Sequence, residues 1–152
     1  MMNAKKWIDI PPVWLLGAVW LAWLIGQYDP WQLRLGEWVG LPAGLLIGAG
    51  LVLMFMAFVE MRRWKTTVIP HREAGHLVTS GIFKRSRNPI YLGDAFILTG
   101  LILRFDAILA LPLVPIFVWL IERRFIITEE ARLRRKFRAD FQRYCEKTRR
   151  WV

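Results

Sequence analysis

The chain has 152 residues and a formal net charge of +10, yet 55% of it is hydrophobic and nine residues are Trp. With a mean hydropathy of +0.31, this composition excludes an ordinary soluble domain of this size. The basic excess requires no nucleic acid, because Lys and Arg facing an anionic inner leaflet produce the same sign.

In chain order, Lys5 and Lys6 precede an apolar stretch over 13–25 that imitates a signal peptide. No small-x-small cleavage site comes before the polar turn at 27–30, so the pattern predicts a retained first helix over 11–27. The run 39–59 holds 21 residues without a charge, enough to cross a hydrocarbon core of ~30 Å at ~1.5 Å per residue. Two shorter apolar runs follow, 89–103, interrupted only by Asp94, and 107–121. The expected fold is therefore an all-α polytopic membrane protein. It has about four transmembrane helices, a cytoplasmic loop at 60–87 and a cytoplasmic C-terminal helix in the tail 122–152, all in one domain.

Charge placement supports the same arrangement. Only Arg34 and Arg104 fall in the expected outer loops, and the other 20 of the 22 Lys and Arg lie in the N-terminal stub, the 60–87 loop and the tail. This is a positive-inside distribution with both termini in the cytoplasm. Trp7, Trp14, Trp31, Trp38 and Trp64 fall near span ends, where interfacial aromatic belts sit. The lone Cys145 allows no intrachain disulfide and suits a reduced compartment. His71 and His76 have no Cys partners and no helical ligand spacing, so no metal site is expected.

The most informative local pattern is SRNPIYLGD, residues 86–94. Arg87 supplies a fixed fork of donors, Asn88 suits a helix N-cap, Pro89 suits the first helical position and Gly93 permits close approach of a neighbour. A snorkelling Arg before an Asn-Pro helix start is also a sound way to begin any membrane helix. The preceding loop is basic and broken by Pro70, Gly75 and Gly81. A headgroup collar explains Arg62, Arg63, Lys65, Lys84 and Arg85, but not the apolar patch Leu77, Val78, Ile82 and Phe83, which suits the wall of a pocket.

From 107 the last apolar run continues through IERRFIITEEARLRRKFRADFQRYCEK with no break signal, which predicts one helix leaving the membrane. Leu133, Phe137, Phe141 and Tyr144 form an apolar stripe suited to docking or to a membrane surface. Glu129 and Glu130 are adjacent acids in a basic segment. They are placed to pair with Arg132, Arg134 or Arg123, or to hold a cationic or polyhydroxyl ligand where helix meets loop.

The series LVTSGIFKRSRNPIYLG, then a membrane hairpin, then EEARL and a terminal RRW resembles the isoprenylcysteine carboxyl methyltransferase and phospholipid methyltransferase superfamily of integral membrane enzymes. The resemblance covers roughly 66–151. It implies S-adenosylmethionine as methyl donor, bound on the cytoplasmic side by Gly75, His76, Leu77, Val78, Phe83, Asn88, Pro89, Ile90, Tyr91, Glu129 and Glu130. Chemically, Glu129 suits an ammonium or ribose, backbone groups at 76–78 suit polar edges, and Phe83 or Tyr91 suit flat or cationic surfaces. Methyl transfer is an in-line displacement that needs no metal and no covalent enzyme intermediate, so alignment and water exclusion can carry much of it. Arg87 is the candidate catalytic residue, orienting the acceptor or the donor carboxylate.

Three departures bear on the acceptor. The His that stands two places before the Leu-Val pair in carboxyl methyltransferases is Gly75 here, with the His at His76; their RHP is RNP; and their carboxylate-binding Arg corresponds to Phe125. The expected acceptor is a lipid or small hydrophobic molecule entering between the spans, an amine headgroup among the options, with membrane lipids as the surroundings. Nothing fixes an oligomeric state. A non-catalytic membrane scaffold or lipid-binding protein with the same architecture is the alternative of a different class. A sterol-reductase-like enzyme using a nicotinamide cofactor would need more spans than this chain provides.

Overall fold

The computed structural model describes residues 10–30, 34–66 and 75–152. Lys5, Lys6, Trp7, Trp31, Pro70 and His71 lie outside the described residues. Those described form helices and turns, with no strand among them. Helix α1 is Pro11–Gln27, α2 is Gly40–Arg63, α3 is Pro89–Arg104, α4 is Leu113–Ile121 and α5 is Ile127–Lys147. A 3-10 turn at Glu37–Val39 leads into α2, and a π-helical segment, Glu122–Ile126, joins α4 to α5.

Apolar content sets where these helices form, and small residues set how they pack. α3 is the central helix, burying Tyr91, Gly93, Asp94, Ala95, Leu98, Gly100 and Ile102. Its contact with α2 is backbone to backbone: a Cβ placed on Gly93 would lie 2.7 Å from the Gly50 carbonyl oxygen, and one on Gly100 would lie 2.8 Å from that of Ala43. Glycine at these crossings permits the close approach typical of helices packed in lipid. The other face of α3 joins a core of Ala22, Ala107, Ala110, Phe117, Ile121, Phe125 and Ile126 contributed by α1, the α3–α4 turn, α4 and the π segment.

The outward surface is apolar. Leu41, Leu45 and Phe55 on α2, Leu16 and Trp20 on α1, and Ile116 and Trp119 on α4 are all more than half exposed. A belt of this extent has no place in water. The helical stretch Glu37–Arg63 is long and apolar enough to cross a membrane by itself, and Pro11–Gln27 is a shorter apolar helix.

The two ends of the bundle differ. At one end the Leu35 N–H donates to Asp106 Oδ1 (2.6 Å), tying the α1–α2 connection to the α3–α4 turn. The other end gathers the start of α3, the π segment and α5, with Arg124 over the Trp14 ring at 5.2 Å.

Two expectations about the last helix change. Helix α4 starts at Leu113, after Pro112, because residues 108–110 form a 3-10 turn rather than the start of a span at 107. The tail is also not one straight helix, since Arg138 has φ 42° and ψ −111° in the middle of α5. The π segment keeps α4 and α5 continuous, but Arg138 folds the second half of α5 back on the first.

Candidate functional site

The bend at Arg138 explains how Arg87 reaches both ends of α5. Glu130 and Thr148 would stand about 27 Å apart along a straight helix, yet one guanidinium holds both. Arg87 Nη2 and Nε donate to Glu130 Oε1 (3.0 and 3.3 Å), while Nη1 donates to the carbonyls of Thr148 (2.6 Å) and Cys145 (3.3 Å). The carbonyls are those a helix C-terminus leaves unpaired, so the cation caps the returning half of α5 while pairing with an acid at its start.

The C-terminal segment completes this cluster. Arg150 meets Glu130 side-on, Nε to Oε1 at 3.1 Å and Nη2 to Oε2 at 2.6 Å, and its Nη1 reaches Glu122 Oε1 at 2.7 Å. Trp151 Nε1 donates to Glu122 Oε2 (3.0 Å), and its ring packs on the core of α3 and the π segment. The π segment thus carries an acid into the same network, consistent with the frequent placement of such bulges at functional sites. Burial alone would raise the Glu130 carboxyl, but the Arg150 hydrogen bonds and the Arg87 charge outweigh it and hold the group below the usual carboxylate range.

Backbone contacts fix the RNP residues against this strap. The Arg87 N–H donates to the Arg149 carbonyl at 3.0 Å. Asn88 Nδ2 and Ser86 Oγ both donate to the Arg150 carbonyl, at 3.1 and 3.3 Å. Asn88 therefore occupies the N-cap position of α3 without a side-chain capping bond. The expected cap is replaced by a cross-link to the strap. Pro89 takes the first helical position and is buried.

Other candidate residues form a second group. Val78, Phe83, Phe141 and Tyr144 make a buried cluster, with Leu77, Ile82, Ile90, Leu133 and Phe137 packed against it. The loop patch and the tail stripe are thus each other's partners, locked by the Tyr144 hydroxyl donating to the Phe83 carbonyl at 2.6 Å. Tyr91, buried on α3, hydrogen-bonds through its hydroxyl to Glu129, which lies at the exposed edge of α5.

Gly75 and His76 are exposed and stand apart from the Arg87–Glu130 network, with the His76 ring centroid 6.3 Å from that of Trp64. Beside them is an open pocket of about 390 Å³ lined by Glu60, Arg63, Trp64, Ser80 and Gly81. Ser80 Oγ donates to Glu60 Oε1, and Trp64 Nε1 donates to Ser80 Oγ at 2.8 Å. Gly81 has φ 57°, and a Cβ on it would lie 2.7 Å from Glu60 Oε2, so this turn needs glycine for both conformation and space.

Arg150, Trp151, Glu122, Glu60 and Ser80 are site residues to which the sequence assigned no part in a site, and Trp64 was expected only in an interfacial belt. The terminal RRW was visible as a motif, but its partners are 20 to 29 residues away. Helical spacing pointed Glu130 toward Arg132, Arg134 or Arg123; its partners are instead Arg87 and Arg150.

The start of α3, the loop before it and the tail therefore converge at one end of an apolar helical bundle. The sequence profile of the family described as phospholipid methyltransferase matches residues 38–140. The chain belongs to the phospholipid methyltransferase family. Its described residues are all helix and turn, and it is a membrane methyltransferase, as the resemblance of its motifs implied. Searches of curated proteins and of solved structures returned no match. The family match spans α2, α3, α4 and the first two thirds of α5, and so includes Arg87, Tyr91, Glu129 and Glu130 but stops before Arg150.

Proposed function

We propose that this protein crosses the membrane four times and transfers the methyl group of S-adenosylmethionine to a lipid or small hydrophobic acceptor at its cytoplasmic face. The observation that carries this reading is the meeting of the RNP segment and the paired glutamates at the basic end of the bundle. That end bears Arg87, Arg123, Arg124 and the basic tail, whereas the opposite end bears Arg34 and Arg104. The asymmetry favours a cytoplasmic site.

The residues present fit such a donor. Glu129, at the exposed edge of α5, suits its ammonium or ribose hydroxyls, and the polar backbone at 76–78 suits its remaining polar edges. Val78 and Phe83 are covered by Phe141 and Tyr144, so they support the donor's surroundings from behind rather than facing it. The donor supplies an activated methyl group on a sulfonium. Arg87 is occupied by Glu130 and two carbonyls, so its part in this reading is to hold α5 and the strap against α3. Positioning and exclusion of water are then the main contributions of the fold.

Calorimetry with purified protein in detergent tests the reading. S-adenosylmethionine should bind, and Glu129→Ala should weaken it by roughly tenfold or more, the scale of a charge-assisted hydrogen bond; Asn88→Ala should weaken it by releasing the Arg150 carbonyl and loosening the segment that closes the site. Absence of donor binding by folded native protein would favour a non-catalytic lipid-binding role.

A further inference from the structure

Asp94 is the acid in this bundle that the network above does not use. It is only 3% exposed, and among the described residues no hydrogen bond or ion pair reaches its carboxylate. Arg87, the nearest cation along the chain, is spent on Glu130 and the carbonyls of Cys145 and Thr148. Tyr91 and Leu98, three before and four after Asp94, belong to the core shared with α4 and the π segment. Helical spacing therefore puts Asp94 on that same face, directly beneath Tyr91. The Tyr91 hydroxyl lies within electrostatic reach of both Asp94 and Glu129.

The result is a graded acidic track: Glu129 at the exposed rim, Tyr91 in the wall and Asp94 one turn deeper among apolar side chains. An uncompensated carboxylate at this depth is costly, and in membrane helices such groups are kept for pairing with a substrate or a proton. A polar donor entering from water meets Glu129 first. Asp94, one turn farther in, is the acid that the head of an amphiphile held among the helices would meet.

We propose that Asp94 receives the cationic end of the acceptor, a primary or secondary amine carried on an apolar tail, and takes its proton as methyl transfer proceeds. This rests on the methyltransferase reading above. The proton on the ammonium nitrogen passes to the Asp94 carboxylate, and the freed lone pair forms the bond to the methyl carbon. The pair that bound that carbon to sulfur leaves with the sulfur, so the sulfonium becomes a neutral thioether and the nitrogen regains its positive charge. The proton on Asp94 returns to water past Tyr91 and Glu129.

The test compares native protein with Asp94→Asn and Asp94→Glu, using dodecylamine and its uncharged counterpart dodecanol as probes. Asp94→Asn should bind S-adenosylmethionine within about twofold of native, which also reports a folded site, and should bind dodecanol unchanged, while its affinity for dodecylamine falls roughly tenfold or more. Methyl transfer to dodecylamine should drop about 10²- to 10⁴-fold in kcat/KM, the range for loss of a proton acceptor, with partial recovery in Asp94→Glu. Equal dodecylamine binding or turnover by native and Asp94→Asn would overturn the proposal. Native protein that binds the donor but does not distinguish dodecylamine from dodecanol would overturn it too, leaving the methyltransferase reading intact. Native protein that binds no donor yet prefers dodecylamine in an Asp94-dependent way would sink that reading and leave cation recognition by Asp94 standing.

Discussion

Glu130 and Arg150 meet through two parallel hydrogen bonds, 3.1 and 2.6 Å, from the start of α5 to the strap that follows its end. Their side chains are 13% and 33% exposed, and Arg87, also at 13%, shares the same carboxylate. Removing the acid leaves two guanidinium groups facing each other with little water. Glu130→Gln should therefore destabilise the protein by about 1–3 kcal/mol, the scale of a hydrogen-bonded charge that loses its partner. Arg150→Lys should also destabilise it, because an ammonium cannot make the two-point contact. Thermal unfolding in detergent reads both; a Glu130→Gln protein that melts with the native one would show that the strap contributes no stability.

The same contact gives a pH dependence with a definite sign. Glu130 titrates below the ordinary carboxylate value in the folded protein, so its pairing contributes fully above the unfolded value and is lost as pH falls through the folded one. The strap should remain closed from neutral pH down past the usual Glu value of about 4.3 and open only in stronger acid. Hydrogen exchange of the segment after Lys147, followed from pH 7 to 3, should show this late opening in native protein. In Glu130→Gln the step should be absent. A native strap that opens between pH 7 and 5 would contradict the assignment.

Packing between α2 and α3 predicts a contrast among glycines. A Cβ on Gly93 would stand 2.7 Å from both the Gly50 carbonyl oxygen and Met54 Cγ, whereas Gly44 and Gly48 on α2 have nothing within 4 Å. Gly93→Ala must push the two helices apart, at about 1–3 kcal/mol. Gly44→Ala fills open space and gains helix propensity, so it should be neutral or stabilising by up to ~1 kcal/mol. Equal melting temperatures for the two variants would show that the α2–α3 crossing tolerates separation.

These contacts also show what could be read from the residues in advance. Helices α1 and α3 coincide almost to the residue with their apolar runs, because largely apolar stretches bounded by Pro or by polar turns leave little choice of limits. The patch at 77–83 and the stripe on α5 were both visible, and each lacked a partner until the fold brought them together. The bend at Arg138 was not legible, since neither Gly nor Pro marks it. It follows from long-range demands, with Arg87 holding Glu130 and Thr148 at once and Tyr144 reaching Phe83. Asn88 misled for a related reason: its side-chain oxygen suits an N-cap, but the amide is held by Nδ2 donating to a strap carbonyl 62 residues away and makes no capping bond. Propensity gave the position, and tertiary contacts decided the bond.

Topology can be tested through the two ends of the bundle. Tyr28, 81% exposed after α1, lies toward the end where Leu35 meets Asp106, whereas Thr79 lies in the loop beside Phe83, at the end that gathers Arg87 and the tail. Replacing the lone Cys145 by Ser leaves a background on which Tyr28→Cys or Thr79→Cys can be labelled with a membrane-impermeant maleimide. The positive-inside asymmetry requires the Thr79 position to react only from the cytoplasmic side and the Tyr28 position only from the other. Reaction of both from one side would mean that α1 and the helices after it do not alternate across the bilayer. Reaction of each from the side opposite to that expected would keep the four crossings but turn the site outward, away from a cytoplasmic methyl donor.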